Sequence, residues 1–287
     1  MLNKVLVVGA GTMGQGIAQW MAQQGIEVEL ADIRLEAISK GVESINKSWK
    51  RLVEKGKFTA DEVLSWSANL KGVDLETFSP NPDLFIEAIA EDLDIKKGMF
   101  KDADQMMNEK TIFASNTSSL SINKLCEDLS TARKRRFVGL HFFNPVPIMK
   151  LVEIIQGNNT DQEIIDNLKS WFEERGKVPA LCQDSPGFIV NRMARNFYGE
   201  PLRIVQDFNR KKITSTDTIL REVGGFKMGP FELLDLIGID VNLSVTRSVW
   251  EAFKKAPRFA PHKLQEGMVN LGLLGKKTGE GYYNYEK

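Results

Sequence analysis

Near its start the chain reads Lys4-Val5-Leu6-Val7-Val8-Gly9-Ala10-Gly11-Thr12-Met13-Gly14, and this run constrains the fold more than any other. The apolar stretch predicts a buried strand, and Ile17, Ala18, Met21 and Ala22 follow at helical spacing. Glycines thus stand at the G-x-G-x-x-G positions between a strand and a helix, and each has its own work. Gly9 permits a tight turn, Gly11 lets a pyrophosphate approach the backbone, and Gly14 lets helix and strand pack closely. The helix N-terminus, with Thr12 and Met13 in its first turn, offers amide donors and the positive end of its dipole to phosphate. A second apolar run, 28–31, ends at Asp32. A carboxylate there accepts hydrogen bonds from both ribose hydroxyls of NAD and repels the 2′-phosphate of NADP, so NAD is the expected cofactor. Arg34, which would offset that repulsion, reads as a solvated arginine at a helix start.

The 287 residues suffice for one large domain or two ordinary ones. Apolar residues make up 42%, enough for a globular core, which excludes a disordered chain. Lys+Arg and Asp+Glu are equal at 38 each, so no global charge recruits nucleic acid or a membrane surface, and a basic site must be local. Cys126 and Cys182 lie far apart and form no C-x-x-C, which fits a reducing compartment and gives no disulfide or zinc framework; no metal is expected. No apolar run approaches the ~20 residues of a membrane span. The first apolar stretch reads on into the nucleotide motif rather than a cleavage site, and a cytoplasmic protein is expected.

Predicted strands at 5–8, 28–31, 84–88, 111–114, 137–140, 151–155 and 178–181 alternate with helical patterns at 35–55, 93–107 and 161–175. That alternation predicts a Rossmann-type α/β fold over residues 1–184, a doubly wound, mostly parallel sheet covered on both faces. After Asp184-Ser185-Pro186-Gly187 the texture changes. Residues 185–287 hold long helix-period stretches, with Pro230 near a helix start and helix ends at Val223-Gly224-Gly225 and Ile237-Gly238, and predict an all-helical second domain.

Only two histidines are present. His262 reads as a helix-start surface residue. His141 follows the apolar run 137–140, at the strand end where doubly wound sheets bind ligands, although a lone histidine is more often structural. Glu153 stands in the otherwise apolar Leu151-Val152-Glu153-Ile154-Ile155. It is either a water-facing edge residue or a buried carboxylate in need of a partner. Across the bend Asn144-Pro145-Val146-Pro147 it can return beside the imidazole, where a carboxylate fixes the tautomer and stabilises the imidazolium.

Asn116-Thr117-Ser118-Ser119-Leu120, His141-Phe142-Phe143-Asn144-Pro145, Lys150-Leu151-Val152-Glu153, Pro186-Gly187-Phe188-Ile189-Val190-Asn191-Arg192 and Lys276-Lys277-Thr278-Gly279-Glu280-Gly281-Tyr282-Tyr283 resemble, in order over nearly the whole chain, the motifs of the L-3-hydroxyacyl-CoA dehydrogenase family. The resemblance implies an NAD-binding N-terminal domain, a helical C-terminal domain used for homodimerisation, and an acyl-CoA substrate. It implies His141 as catalytic base, Glu153 as its partner, Ser118 as a hydroxyl near substrate and nicotinamide, and Asn191 as a substrate-side donor. Glu91, Lys96, Asn144 and Lys277 match positions near the cofactor. Taken without the resemblance, Asn116–Ser119 reads as a turn, Asn191 as a helix-cap residue, Asn144 as a turn residue, and Glu91, Lys96 and Lys277 as solvated charges. The expected reaction is interconversion of (S)-3-hydroxyacyl-CoA and 3-oxoacyl-CoA. The alternatives are a catalytically silent NAD-binding protein and a dehydrogenase of a free hydroxy or sugar acid.

Residues 46–57 carry five basic side chains and one acid, with Lys47, Arg51 and Lys55 on one helical face. This is either a solvated helix or a face for the phosphates of coenzyme A, with Ser48 and Lys55 as substrate contacts. Arg133-Lys134-Arg135-Arg136 reads as an exposed turn before a strand. Pro201 lies inside a helical stretch where relatives usually lack proline, and predicts a kink.

Overall fold

The computed structural model describes residues 2–285. They divide at Ser185/Pro186 into two compact units. The first contains β1 (Lys4–Val8), α1 (Thr12–Gln23), β2 (Glu27–Asp32), α2 (Leu35–Glu54), α3 (Ala60–Ala68), β3 (Leu70–Asp74), β4 (Leu84–Glu87), α4 (Leu93–Met106), β5 (Ile112–Ser115), α5 (Ile122–Leu125), α6 (Thr131–Arg135), β6 (Phe137–Phe142), β7 (Leu151–Gln156), α7 (Gln162–Glu174) and β8 (Val178–Gln183). The strands form one sheet in the order β3-β2-β1-β4-β5-β6-β7-β8. Every adjacent pair is parallel except β6–β7. Residues 143–150 alone join that pair. They are too few for the crossover a parallel pair requires, so β7 turns back along β6. Strand order reverses between β1 and β4, which opens a crevice at their C-terminal ends.

The strands are apolar because the sheet is covered: Val5, Val7, Val28, Leu30, Leu84 and Ile86 are enclosed with Ile17, Ala18 and Met21 of α1. Trp20 stacks on Phe172 at a centroid distance of 5.7 Å and meets Trp171 edge-on at 5.8 Å.

Two features depart from the sequence reading. Strand β3 was not predicted: Leu70-Lys71-Gly72-Val73-Asp74 offers two apolar residues around a glycine. That glycine is required, since a Cβ at Gly72 would stand 2.6 Å from the Ile38 side chain of α2. The basic run 133–136 is not simply an exposed turn. Arg133, in α6, is only 2% exposed. Its guanidinium pairs with Asp104 at 2.7 Å, donates to the Thr111, Met107 and Asn108 carbonyls, and lies 4.0 Å from the Phe113 ring.

The second unit comprises α8 (Val190–Val205), α9 (Arg210–Glu222), α10 (Pro230–Ile237), α11 (Ile239–Ala252) and α12 (Lys263–Asn270) with two short 3₁₀ turns. Pro230 opens α10, and α9 and α10 end one residue before Val223 and Gly238. Helix α8 runs through Pro201 as one element, with the proline buried. His262 caps α12, accepting the Leu264 amide on Nδ1 at 3.3 Å. Tyr198, Leu202, Ile213, Phe231, Leu234, Ile239 and Met268 form the core. Asp235 docks the tail by accepting the Tyr282 and Tyr283 amides and the Tyr285 hydroxyl.

Candidate active site

The nucleotide loop divides its glycines by space. Gly9 has φ +110°, and a Cβ there would meet Ala88 O at 2.4 Å. A Cβ on Gly14 would meet Gly9 O at 1.7 Å. Gly11 has nothing within 4 Å of that position and is exposed. Two glycines therefore shape the turn, and the third leaves its surface open. Helix α1 begins at Thr12 with no side chain capping it, so its first amides face outward for an anion. Asp32 is aligned by the loop: Ala10 N donates to Oδ2 at 2.8 Å and Arg34 N to Oδ1 at 3.0 Å. The Arg34 guanidinium is 3.7 Å from Oδ1 on a mostly exposed side chain. Gly9, Gly11, Thr12, Met13 and Asp32 line one crevice of about 1070 Å³ with the apolar Ile33, Ala90 and Ile95. Backbone donors, a strand-end carboxylate and apolar walls fit NAD.

Further along the strand ends lies a buried ionic group. Lys96 Nζ, 1% exposed on α4, sits 2.6 Å from Glu87 Oε1 and 3.0 Å from Glu91 Oε2. Glu91 Oε1 accepts the Thr117 hydroxyl at 2.7 Å, the Ser118 amide at 2.9 Å and the Ser118 hydroxyl at 3.1 Å. Burial alone would raise the Glu91 pKa. Lys96 and the hydrogen bonds from Thr117 and Ser118 outweigh it and hold the carboxyl below its ordinary value.

His141 and Glu153 are register partners across the antiparallel β6–β7 ladder. Nδ1 and Oε2 are 2.6 Å apart, with the Glu153 side chain fully buried and His141 8% exposed. Strand β7 is interior to the sheet, so Glu153 is not a water-facing edge residue. The Phe143 ring lies 4.5 Å from the imidazole, and Asn116 Oδ1 accepts the Phe142 amide at 2.9 Å. Asn144 is exposed, on the link between the two strands.

The remaining predicted residues lie elsewhere. Lys47, Arg51 and Lys55 stand exposed along α2 and its C-cap, opposite the buried Ile38, Ile45 and Trp49, and none is ion-paired among the described residues. Ser48 is half-buried, 3.4 Å from Gln19 Nε2. In the second unit, Asn191 is half-buried in the first turn of α8 and its carbonyl accepts Arg195 Nε at 3.0 Å. Lys277 pairs with Asp240 at 2.6 Å.

Two residues escaped the sequence reading. Glu87 lies within the predicted strand 84–88, and its signal is an acid closing an apolar strand beside the crevice. Lys177 gave no signal. Its ammonium donates to the Val146 and Met149 carbonyls, each at 2.6 Å, and lies 4.6 Å from the Trp20 ring. It thereby clamps the β6–β7 link, and desolvation pulls its pKa down to about 8. Among the described residues no group of three side chains is placed to hold a metal ion, and no helix is long and apolar enough to cross a membrane.

Residues 4–185 match the family model of the 3-hydroxyacyl-CoA dehydrogenase NAD-binding domain, and residues 187–285 match that of its C-terminal domain. The chain is 40% identical over 99% of its length to 3-hydroxyadipyl-CoA dehydrogenase of Escherichia coli K12, but spans only 59% of that longer protein. It is 40% identical over its whole length to mitochondrial hydroxyacyl-coenzyme A dehydrogenase of Rattus norvegicus, spanning 92% of it. The crystal structure of (S)-3-hydroxybutyryl-CoA dehydrogenase from Ralstonia eutropha superposes with a TM-score of 0.90 at 37% identity, with both chains fully covered.

Proposed function

The chain belongs to the 3-hydroxyacyl-CoA dehydrogenase family and carries its NAD-binding domain, and from that premise we propose that it interconverts (S)-3-hydroxyacyl-CoA and 3-oxoacyl-CoA. His141 is the general base and acid, and Glu153 is the carboxylate that orients it. The observation carrying this reading is the buried 2.6 Å pair at the strand ends of a nucleotide-binding sheet. With Nδ1–H donating to Glu153, the neutral imidazole holds its acceptor lone pair on Nε2, ready for the hydroxyl proton of the secondary alcohol. The carboxylate then stabilises the imidazolium. Ser118 is the hydroxyl proposed to donate to the substrate oxygen as its charge develops, and Asn191 is proposed as a substrate-side donor. NAD, when bound, takes up the hydride from the same carbon and returns it in the reverse direction. Glu91, Asn144 and Lys277 are its proposed contacts beyond the loop, and Lys96, buried behind Glu91, serves by holding that carboxylate rather than by touching the cofactor.

Following NADH oxidation with acetoacetyl-CoA, beside acetoacetate and beside NADPH, tests this. Turnover of the CoA ester is expected, with NADH preferred over NADPH by about tenfold or more because Asp32 opposes a 2′-phosphate. NADH binding without turnover would favour a silent protein. Better use of acetoacetate would favour a free-acid dehydrogenase. Equal use of NADPH would give Arg34 the deciding role instead of Asp32.

The exposed basic face of α2 is the proposed seat of the coenzyme A phosphates, with Ser48 beside it. Replacing Lys47, Arg51 and Lys55 together by glutamine removes three exposed contacts of about 0.5 kcal/mol each. KM for acetoacetyl-CoA should rise about tenfold at low salt, with a smaller effect on NADH, and added salt should mimic the change. An unchanged KM at low salt would return α2 to a plain solvated helix.

The second unit is the proposed dimer contact. Phe231, Leu234 and Leu243 are spent on its core, whereas Phe226, Leu236, Ile237 and Val241 are between 41% and 51% exposed. A two-fold contact is the commonest way to cover such residues, so the chain is read as a homodimer.

A further inference from the structure

Glu87 takes no part in the chemistry above, yet it is fully buried at the last position of β4. Its two oxygens lead in different directions and arrive at the same turn. Oε1 accepts the Ile89 amide at 2.8 Å and Lys96 Nζ at 2.6 Å. Lys96 reaches on to Glu91 Oε2, and Glu91 Oε1 gathers the Thr117 hydroxyl and the Ser118 and Ser119 amides, the last at 3.2 Å. Oε2 accepts the Ser115 hydroxyl at 2.5 Å across the β4–β5 ladder, where Glu87 and Ser115 are register partners. Ser115 Oγ in turn accepts the Thr117 amide at 3.2 Å. Residues 117–119 belong to no strand or helix, so side-chain acceptors define their course.

We propose that Glu87 is a positioning residue that holds the 117–119 turn by two arms, one through Ser115 and one through Lys96 and Glu91, and so fixes where Ser118 presents its hydroxyl. A carboxylate at the end of an interior strand is a rigid origin for both arms. Lys96, itself desolvated, cannot leave Glu87 without losing its better-buried counter-ion. Burial pushes the Glu87 pKa up against the pull of Lys96, Ser115 and Ile89, so its charge depends on those same donors. The two-arm anchor is independent of the reaction. Its catalytic consequence rests on the role proposed for Ser118.

Amide hydrogen exchange read by NMR tests the anchor directly. Glu87→Gln keeps the shape and removes the charge. It should speed exchange at Thr117, Ser118 and Ser119 about tenfold or more, while Ala114 in β5 changes less than twofold. Ser115→Ala should release Thr117 alone, and Lys96→Met should release Ser118 and Ser119. Thr111→Val, at the buried far end of the same strands, controls for general destabilisation and should leave 117–119 unchanged. Wild-type exchange at 117–119 in Glu87→Gln would overturn the proposal. Should that variant not fold, unchanged Thr117 exchange in Ser115→Ala would overturn it. The same variants are then assayed: kcat should fall about tenfold in Glu87→Gln and hold in Thr111→Val. Faster exchange with unchanged kcat would uphold the anchor and reject the role of Ser118.

Discussion

His141→Gln should lower kcat by about three orders of magnitude while NADH affinity stays within about twofold. Glutamine occupies similar space and still donates an amide hydrogen to Glu153, so the strand pair keeps its spacing. It accepts no proton at neutral pH, so the step that needs a base is left to water. The nucleotide loop lies around β1 and the imidazole on β6, with β4 and β5 between them, which separates the proposed base from the loop. Glu153→Gln should cost less, about tenfold. Its carbonyl still accepts from Nδ1–H and keeps the tautomer, and what disappears is the difference between a charged and a neutral hydrogen bond to the imidazolium, about 1–2 kcal/mol. Turnover with acetoacetyl-CoA and fluorescence titration of NADH, run on both variants, separate the two effects. Near-normal turnover in His141→Gln would remove it as the base.

The strand–glycine–helix unit was legible because its information is local: Gly14 answers to Gly9 within the same turn, Gly9 to the end of the adjoining strand, and Gly11 to open space. The His141–Glu153 juxtaposition was legible for a related reason. Eight residues cannot carry a parallel crossover, so the chain after His141 has to double back, and an acid three positions into the returning strand falls opposite the histidine. The buried ionic group was not legible. Lys96 on α4 looks like any helix lysine, and only the packing of α4 against β4 removes it from water. Arg133 was misread by the same route: a basic run normally signals solvent, but its carboxylate and carbonyl partners come from residues 104–111, more than twenty positions earlier. Strand β3 was lost because its central glycine serves a contact with α2 rather than the strand's own propensity. What spacing does not report is which polar groups the fold takes out of water.

Gly14→Ala should damage folding, and Gly11→Ala should damage only cofactor binding. The two changes are chemically the same and three residues apart, and the difference lies in what a methyl group meets. At Gly14 it would stand 1.7 Å from Gly9 O and 2.9 Å from Gly9 C, inside the backbone of the turn. Backbone cannot rotate away as a side chain can, so α1 must move off β1 or the turn must open. Overpacking of this kind costs about 3 kcal/mol, which lowers Tm by roughly 6–12 °C for a domain of this size. At Gly11 the methyl meets nothing within 4 Å among the described residues beyond its own chain neighbours, and the N-cap backbone, with φ −76° and ψ −174°, suits alanine. Tm should therefore stay within about 1–2 °C. The open space at Gly11 is instead the place proposed for the pyrophosphate, and filling it should raise the Kd for NADH about tenfold or more. Thermal unfolding without nucleotide, followed by NADH titration, reads both effects. A Gly11→Ala protein that binds NADH as tightly as wild type would remove the phosphates from this loop, and a Gly14→Ala protein with unchanged Tm would show that α1 does not need its close approach to β1.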